Sequence, residues 1–285
     1  MDLMKTYTKK IALVGDWGTG KTSLIRRFVL NAFDDSYIQT IGTRVSKKVI
    51  DTKVNDEEVR INLVIWDVLG QKDYRSVQKN AFVGVEGAIF VCDITRNDTL
   101  SSLSTYWHPL LLSVAGKQPS VIVANKCDLL GLAAFTMEDV KRIATEIGVS
   151  EDCCYLSSAK TGENVEIAFN KLAMLMLTSV KIETSYKERV KALEKIEGED
   201  SITYKTVLDA IFLDFTKVIG DEEKAMEIIN SCFRQSGLSL KYPTREGLEL
   251  LIEHLRQAEL TAGIKPEIAE TNKARRMKLI ESVDA

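Results

Sequence analysis

The stretch Gly15-Asp16-Trp17-Gly18-Thr19-Gly20-Lys21-Thr22 constrains the fold more than any other part of this 285-residue chain. It fits the pattern G-x-x-x-x-G-K-[ST]. The apolar run Ile11-Ala12-Leu13-Val14 comes directly before it, and a helical pattern from Ser23 to Leu30 follows. Strand, loop and helix are what such a motif needs. The glycines let backbone N–H groups turn inward around phosphate oxygens, and the helix N-terminus adds its partial positive charge. Lys21 offers a point charge to the outer phosphates, and the Thr22 hydroxyl a ligand to Mg²⁺. A chance glycine-rich turn would not carry a buried strand on one side and a helix on the other. Alone, the motif says nucleoside triphosphate and no more.

The pattern beyond it keeps alternating. Phe33 to Gly42 is polar and aperiodic, a loop. Residues 44–52 read as a strand and Asn55-Asp56-Glu57 as a turn. Val59 to Trp66 passes from alternating to fully apolar, a strand that runs into the core, and Asp67 ends it. Residues 72–80 form a short helix. Gly87–Cys92 and Ser120–Ala124 are buried strands, separated by a helix from about Leu100 to Val114 that is interrupted or bent near Pro109. Thr136 and Asp139 make a capping box for a helix that Gly148 stops after Ile147. Cys153–Leu156 is a short strand. From Glu163 a helix buries Val165, Ala168, Phe169, Leu172 and Leu175. The expected fold is therefore α/β: a P-loop NTPase with a mostly parallel six-stranded sheet and helices on both faces. Ligands sit beyond the carboxyl ends of the strands in such a sheet, and every motif named here lies at such an end.

Composition changes near Ser179. Residues 1–178 are one domain, 179–200 a charged linker with an i,i+4 pair in Glu183 and Lys187, and 201–285 a small all-α domain with a tail. Leu208, Ile211, Phe212, Phe215 and Ile219 share one helical face. Asp221 opens a helix carrying Ala225, Ile228, Ile229, Cys232 and Phe233, and Gly237 closes it. Pro243-Thr244 starts a third helix, with Leu248, Leu251, Ile252 and Leu255 inward. These stripes describe a bundle core that buries itself on the first domain or in a homodimer. The tail from Lys273 to Ile280 reads as a solvated helix end in preference to a basic membrane helix.

The net charge of −3 excludes bulk nucleic acid as a partner. Five cysteines form no C-x-x-C pair and His108 and His254 are the only histidines, which leaves no zinc or histidine metal site and points to reduced thiols in a cytoplasm. Met1 to Met4 opens no signal peptide, residue 2 is Asp, the last residues carry no Cys, and no apolar run spans a bilayer; no intrinsic membrane anchor is expected.

A base reader is the remaining requirement. Asn125-Lys126-x-Asp128 matches N-K-x-D, in which a carboxylate accepts from N1–H and the 2-amino group of guanine. Adenine lacks that donor pair and would leave the carboxylate, taken as buried, unpaired. Ser158-Ala159-Lys160 follows where a backbone N–H can meet the guanine O6. With these residues the chain resembles the Ras superfamily of small GTPases, most closely its Rab-like branch, over residues 8–178. Thr40-Ile41-Gly42, Trp66-Asp67-x-x-Gly70-Gln71 and Asp93-Ile94-Thr95 carry the same likeness. The resemblance implies a nucleotide site of Gly15 to Ser23 with Phe33 and the Lys126 stem against the base, Tyr37 over the phosphates and Gly70 on the γ-phosphate. It implies Mg²⁺ held by Thr22, Thr40 and, through water, Asp67, with Gln71 orienting the attacking water. GTP and GDP are the implied nucleotides. Effectors, exchange factors and activating proteins are the implied partners, through two switch loops.

Trp17 replaces a small residue of that family and Val68-Leu69 its usual Thr-Ala, all three expected beside the γ-phosphate. The indole turns outward or displaces Gln71; either outcome obstructs an arginine finger and slows hydrolysis. The reading is a GTP-binding switch with slow hydrolysis; a non-hydrolysing GTP-bound scaffold is the alternative. N-K-x-D with Ser-Ala-Lys disfavours a P-loop kinase or ATPase.

Overall fold

The computed structural model describes residues 5–31, 43–54, 57–178, 203–240 and 242–283. Phe33, Tyr37 and Thr40, the Glu183–Lys187 pair and the expected linker lie outside them.

Six strands form one sheet: β1 (Lys5–Val14), β2 (Thr43–Val54), β3 (Glu57–Val68), β4 (Gly87–Asp93), β5 (Ser120–Asn125) and β6 (Cys154–Ser157). Their order is β2-β3-β1-β4-β5-β6. β1 pairs in parallel with β3 on one side and β4 on the other, β4 with β5, and β5 with β6. Succession reverses direction across the sheet at β1, so the loop after β1 opens at the switch point where such sheets bind ligands. Ile11 to Val14 are wholly buried, flanked by strands and covered by helices. That explains a continuous apolar run where a half-exposed strand would alternate.

Helices cover the sheet: α1 (Lys21–Leu30), α3 (Asn97–Ser102), α4 (His108–Ala115), α5 (Met137–Ile147) and α6 (Val165–Thr178), while α2 (Arg75–Phe82) follows β3 in the chain. The Thr136–Asp139 capping box is formed, and Gly148 ends α5 in the left-handed conformation that glycine adopts most easily. On α6, Val165, Ala168, Phe169 and Leu172 are buried, and Leu175 packs half-buried at the edge of the core. The break expected near Pro109 has a definite form. A proline ring crowds the carbonyl four residues back, and the preceding turn, Leu103–Trp107, opens into a π-turn in which the His108 N–H reaches Leu103 O. Val68 joins the hydrophobic core of the sheet, which corrects its placement beside the phosphates: at this end of β3 both faces of the strand are buried. Leu69 is also buried. All five cysteines are free; Cys154 is half-buried and the others are buried.

The described residues divide into two compact units, and the division does not follow chain order. One holds the sheet and most of its helices. The other joins Gln71–Asn80 to the C-terminal helices α7 (Tyr204–Ile219), α8 (Glu222–Ser236), α9 (Arg245–Thr261) and α10 (Pro266–Glu281). Thr203, Asp221 and Thr244 cap the first three of these through their side chains. Leu208, Ile211, Phe212, Phe215, Ala225, Ile229, Leu248 and Leu255 are buried there as their spacing requires, whereas Ile219 and Ile228 are half-buried. The basic tail is not simply solvated. Arg276 is fully buried, donating to Asp214 at 2.8 Å and to Glu259 at 2.6 Å, because both acids face it from α7 and α9. Among the described residues no helix is long and apolar enough to cross a membrane.

Candidate functional site

The loop from Gly15 to Gly20 folds tightly over the ends of β1 and β4. Gly20 sits at φ 94° at the head of α1, and a Cβ there would meet the Asn125 amide nitrogen at 2.2 Å. Only glycine fits. No side chain caps α1, so its first N–H groups point into the loop as an anion seat. Lys21 is buried beneath, donating to Gly15 O at 2.7 Å and Asp16 O at 2.9 Å. Burial pushes its ammonium pKa down to about 8 against the pull of Asp67 and Asp16. Thr19 is fully buried and donates its hydroxyl to Asp16 O.

Thr22 and Asp67 come together from different elements. α1 delivers the hydroxyl and the last turn of β3, whose Asp67 lies opposite Leu13, delivers the carboxylate. The hydroxyl donates to Asp67 Oδ2 at 2.5 Å. Hard oxygen donors of this kind suit Mg²⁺, which takes one or two protein ligands beside phosphate and water.

The residues expected to read a base stand side by side because strand register puts them there. Asp93 of β4 is paired with Asn125 of β5, and Asn125 with Ser157 of β6. Asn125 donates to Thr19 O at 2.8 Å and accepts from Ala159 N at 3.1 Å, linking the phosphate loop to the Ser158–Lys160 loop. Ser158 donates to Asp128 at 2.5 Å. Asp128 itself is exposed, contrary to the buried carboxylate expected, because it sits past the end of β5 in a 3₁₀ turn. Lys126 takes a left-handed backbone and pairs with Asp93 at 2.6 Å. Burial alone would raise the Asp93 pKa, but Lys126 and two bonds from Thr95 hold it below its ordinary value.

Three further side chains, two of them outside the motifs, hold the site. Trp107, buried on the π-turn, donates its indole N–H to Asp16 Oδ1 at 2.7 Å. Arg27 of α1 donates to Ala159 O at 2.8 Å and Lys160 O at 2.5 Å. Asp93 fixes Lys126. A single sequence carries no signal for the first two, since each lies on a helix whose pattern it satisfies equally well as core or surface.

Trp17 turns outward and is 48% exposed. Its N–H donates to Gly70 O at 2.9 Å, and the Arg96 guanidinium lies 5.7 Å from its ring centre. Ser23, next in the chain after Thr22, stands in the first turn of α1. Gln71 belongs to the second unit, where its carbonyl accepts from Gln78 Nε2 at 2.7 Å.

The fold and this loop define a P-loop protein of the α/β class, with the N-K-x-D stretch directly at the end of β5. The model of the Ras family matches residues 10–206. The "GTP-binding protein ypt4" of Schizosaccharomyces pombe is 31% identical over 176 residues, 62% of this chain and 74% of that protein. The "Ras-related protein Rab-13" of Mesocricetus auratus is 32% identical over 167 residues, 58% and 77% of the two chains. For the "Ras-related protein RABC1" of Arabidopsis thaliana the figures are 34% over 174 residues, 60% and 78%. The chain belongs to the Ras family, as a Rab-like, GTP-binding small GTPase. Helices α8 to α10 lie beyond the match.

Proposed function

We propose that this chain is a guanine-nucleotide switch with Mg²⁺-dependent, slow GTP hydrolysis. One observation carries the reading. Asn125 bonds the phosphate loop and the Ala159 amide at once, so one buried residue ties phosphate holding to base reading. Asp128, oriented by Ser158, discriminates guanine by its donor pair once the base covers it. Thr22 and Asp67, with Thr40, hold Mg²⁺, which when bound neutralises charge on the outer phosphates. Lys21 and the amides of Gly15 to Ser23 bind phosphates. Phe33 and the Lys126 stem flank the base, Tyr37 closes the phosphate side and Gly70 donates to the last phosphate. Gln71 orients the attacking water.

Slow hydrolysis follows from Trp17. Its ring stands outward with Arg96 beside it, on ground an activating arginine would cross. Such a finger is worth about 10³–10⁵ in rate. The division we propose is a GTPase domain over 1–178, a linker over 179–200 and a helical part over 201–285, acting in the cytoplasm. Partners are effectors, exchange factors and activating proteins at the switch loops.

The test is competition and single turnover on the purified chain with Mg²⁺. GTP and GDP displace a fluorescent guanine nucleotide and ATP does not. Bound GTP turns over at or below about 10⁻⁴ s⁻¹, and Trp17→Gly is faster. ATP competing as well as GTP would overturn the base assignment. A parent as fast as Trp17→Gly would overturn the slow-hydrolysis claim.

A further inference from the structure

The C-terminal helices hold a segment taken from the middle of the chain. Gln71–Asn80 belongs to their compact unit. Asp209 of α7, 4% exposed, accepts from Ser76 N at 2.7 Å and Val77 N at 2.9 Å. These are first-turn amides of α2, which no earlier carbonyl of that helix can satisfy. A carboxylate more than a hundred residues along the chain thus does the work of a local N-cap. Just before them Tyr74, fully buried, donates its hydroxyl to Leu240 O at 2.8 Å. Lys205 pairs with Asp73 at 3.0 Å. Val77 is buried as well. Two bonds to backbone and one from a buried hydroxyl recognise this segment in one conformation, as a capped helix start.

One residue earlier the chain touches the phosphate loop. Gly70 O accepts the Trp17 N–H, and a Cβ on Gly70 would lie 2.5 Å from Trp17 N and 2.6 Å from Lys21 Nζ. The Gly70 backbone therefore rests against the amide and the ammonium that an outer phosphate would use.

We propose that the C-terminal helices are a built-in partner of segment 71–80, and that by holding it they oppose binding of the triphosphate. The inference rests on the nucleotide reading above. A terminal phosphate that takes the Trp17 N–H and Lys21 must shift Gly70, and one peptide bond passes the shift to Gln71 and the clasp. A diphosphate leaves Gly70 in place. Coupling is reciprocal: triphosphate loosens the clasp, and a loosened clasp favours triphosphate. Any outside protein that binds this segment competes with the chain's own helices.

The experiment uses the full chain with Mg²⁺ and either GDP or a non-hydrolysable GTP analogue. In the parent, amide hydrogen exchange at Ser76 and Val77 is expected to be at least about fivefold faster with the analogue. Tyr74→Phe and Asp209→Asn are expected to raise the ratio of analogue to GDP affinity at least about fivefold. Should Asp209→Asn not fold, the parent's exchange and Tyr74→Phe, which keeps the ring, decide. Equal exchange in the two states with an unchanged ratio in Tyr74→Phe overturns the clasp and leaves guanine binding standing. Failure of both nucleotides to bind overturns both readings.

Discussion

Lys21 is a residue of the phosphate loop whose chemistry the fold alters strongly. Its usual pKa of 10.5 falls to about 8 through burial. Between those values the unfolded chain holds a proton that the native one has lost, so stability rises with pH across about 8 to 10.5. Outer phosphates restore the charge, and nucleotide binding should take up a proton in the same window. Calorimetry at pH 8.5–9 in buffers of different ionisation enthalpy reads this directly; heats that do not vary with buffer would count against it. On the proposed reading Asp128 selects the base. Asp128→Asn should lose guanine affinity sharply and gain affinity for xanthosine triphosphate, whose altered edge suits an amide. Binding competition measures both.

At the scale of elements, the site is the row of strand ends. Asp93, Asn125 and Ser157 face one another because three parallel strands stop in register. The π-turn adds what the strands cannot. By widening the helix ahead of Pro109 it places Trp107 against Asp16, in keeping with the frequent use of such bulges at functional sites. Trp107→Phe keeps an aromatic in the core but removes a hydrogen bond to a carboxylate, worth about 1.5–3 kcal/mol. Urea unfolding should shift accordingly, and nucleotide should dissociate faster. An unchanged dissociation rate would separate Trp107 from the loop's function.

The whole molecule is two compact units that share one chain unevenly. Within the second, Arg276 ties α10 to α7 and α9 through Asp214 and Glu259. Arg276→Ala removes one side of a buried ion pair and should cost about 3–5 kcal/mol. Thermal or urea unfolding checks it, and a loss below about 1 kcal/mol would mean the pair behaves as an exposed one. Arg276→Met, which replaces charge by volume, should still leave the two acids buried and recover only part of the loss.

The sequence by itself determined whatever is local and periodic. The phosphate loop, the buried strands, the Thr136–Asp139 cap and the apolar faces of α7 to α9 are each written in adjacent residues or in one helical period. N-K-x-D was legible because its four residues must be contiguous to follow one strand end. Tertiary structure alone decided what joins distant residues: Trp107 to Asp16, Arg27 to the Ala159 loop, Asp209 to the head of α2, and Arg276 to two acids. A lone tryptophan, arginine or aspartate has the same local pattern whether it packs, solvates or binds. Val68 went astray at the sequence level for a related reason: where both faces of a strand end are buried, alternation no longer tells a core position from one beside the loop.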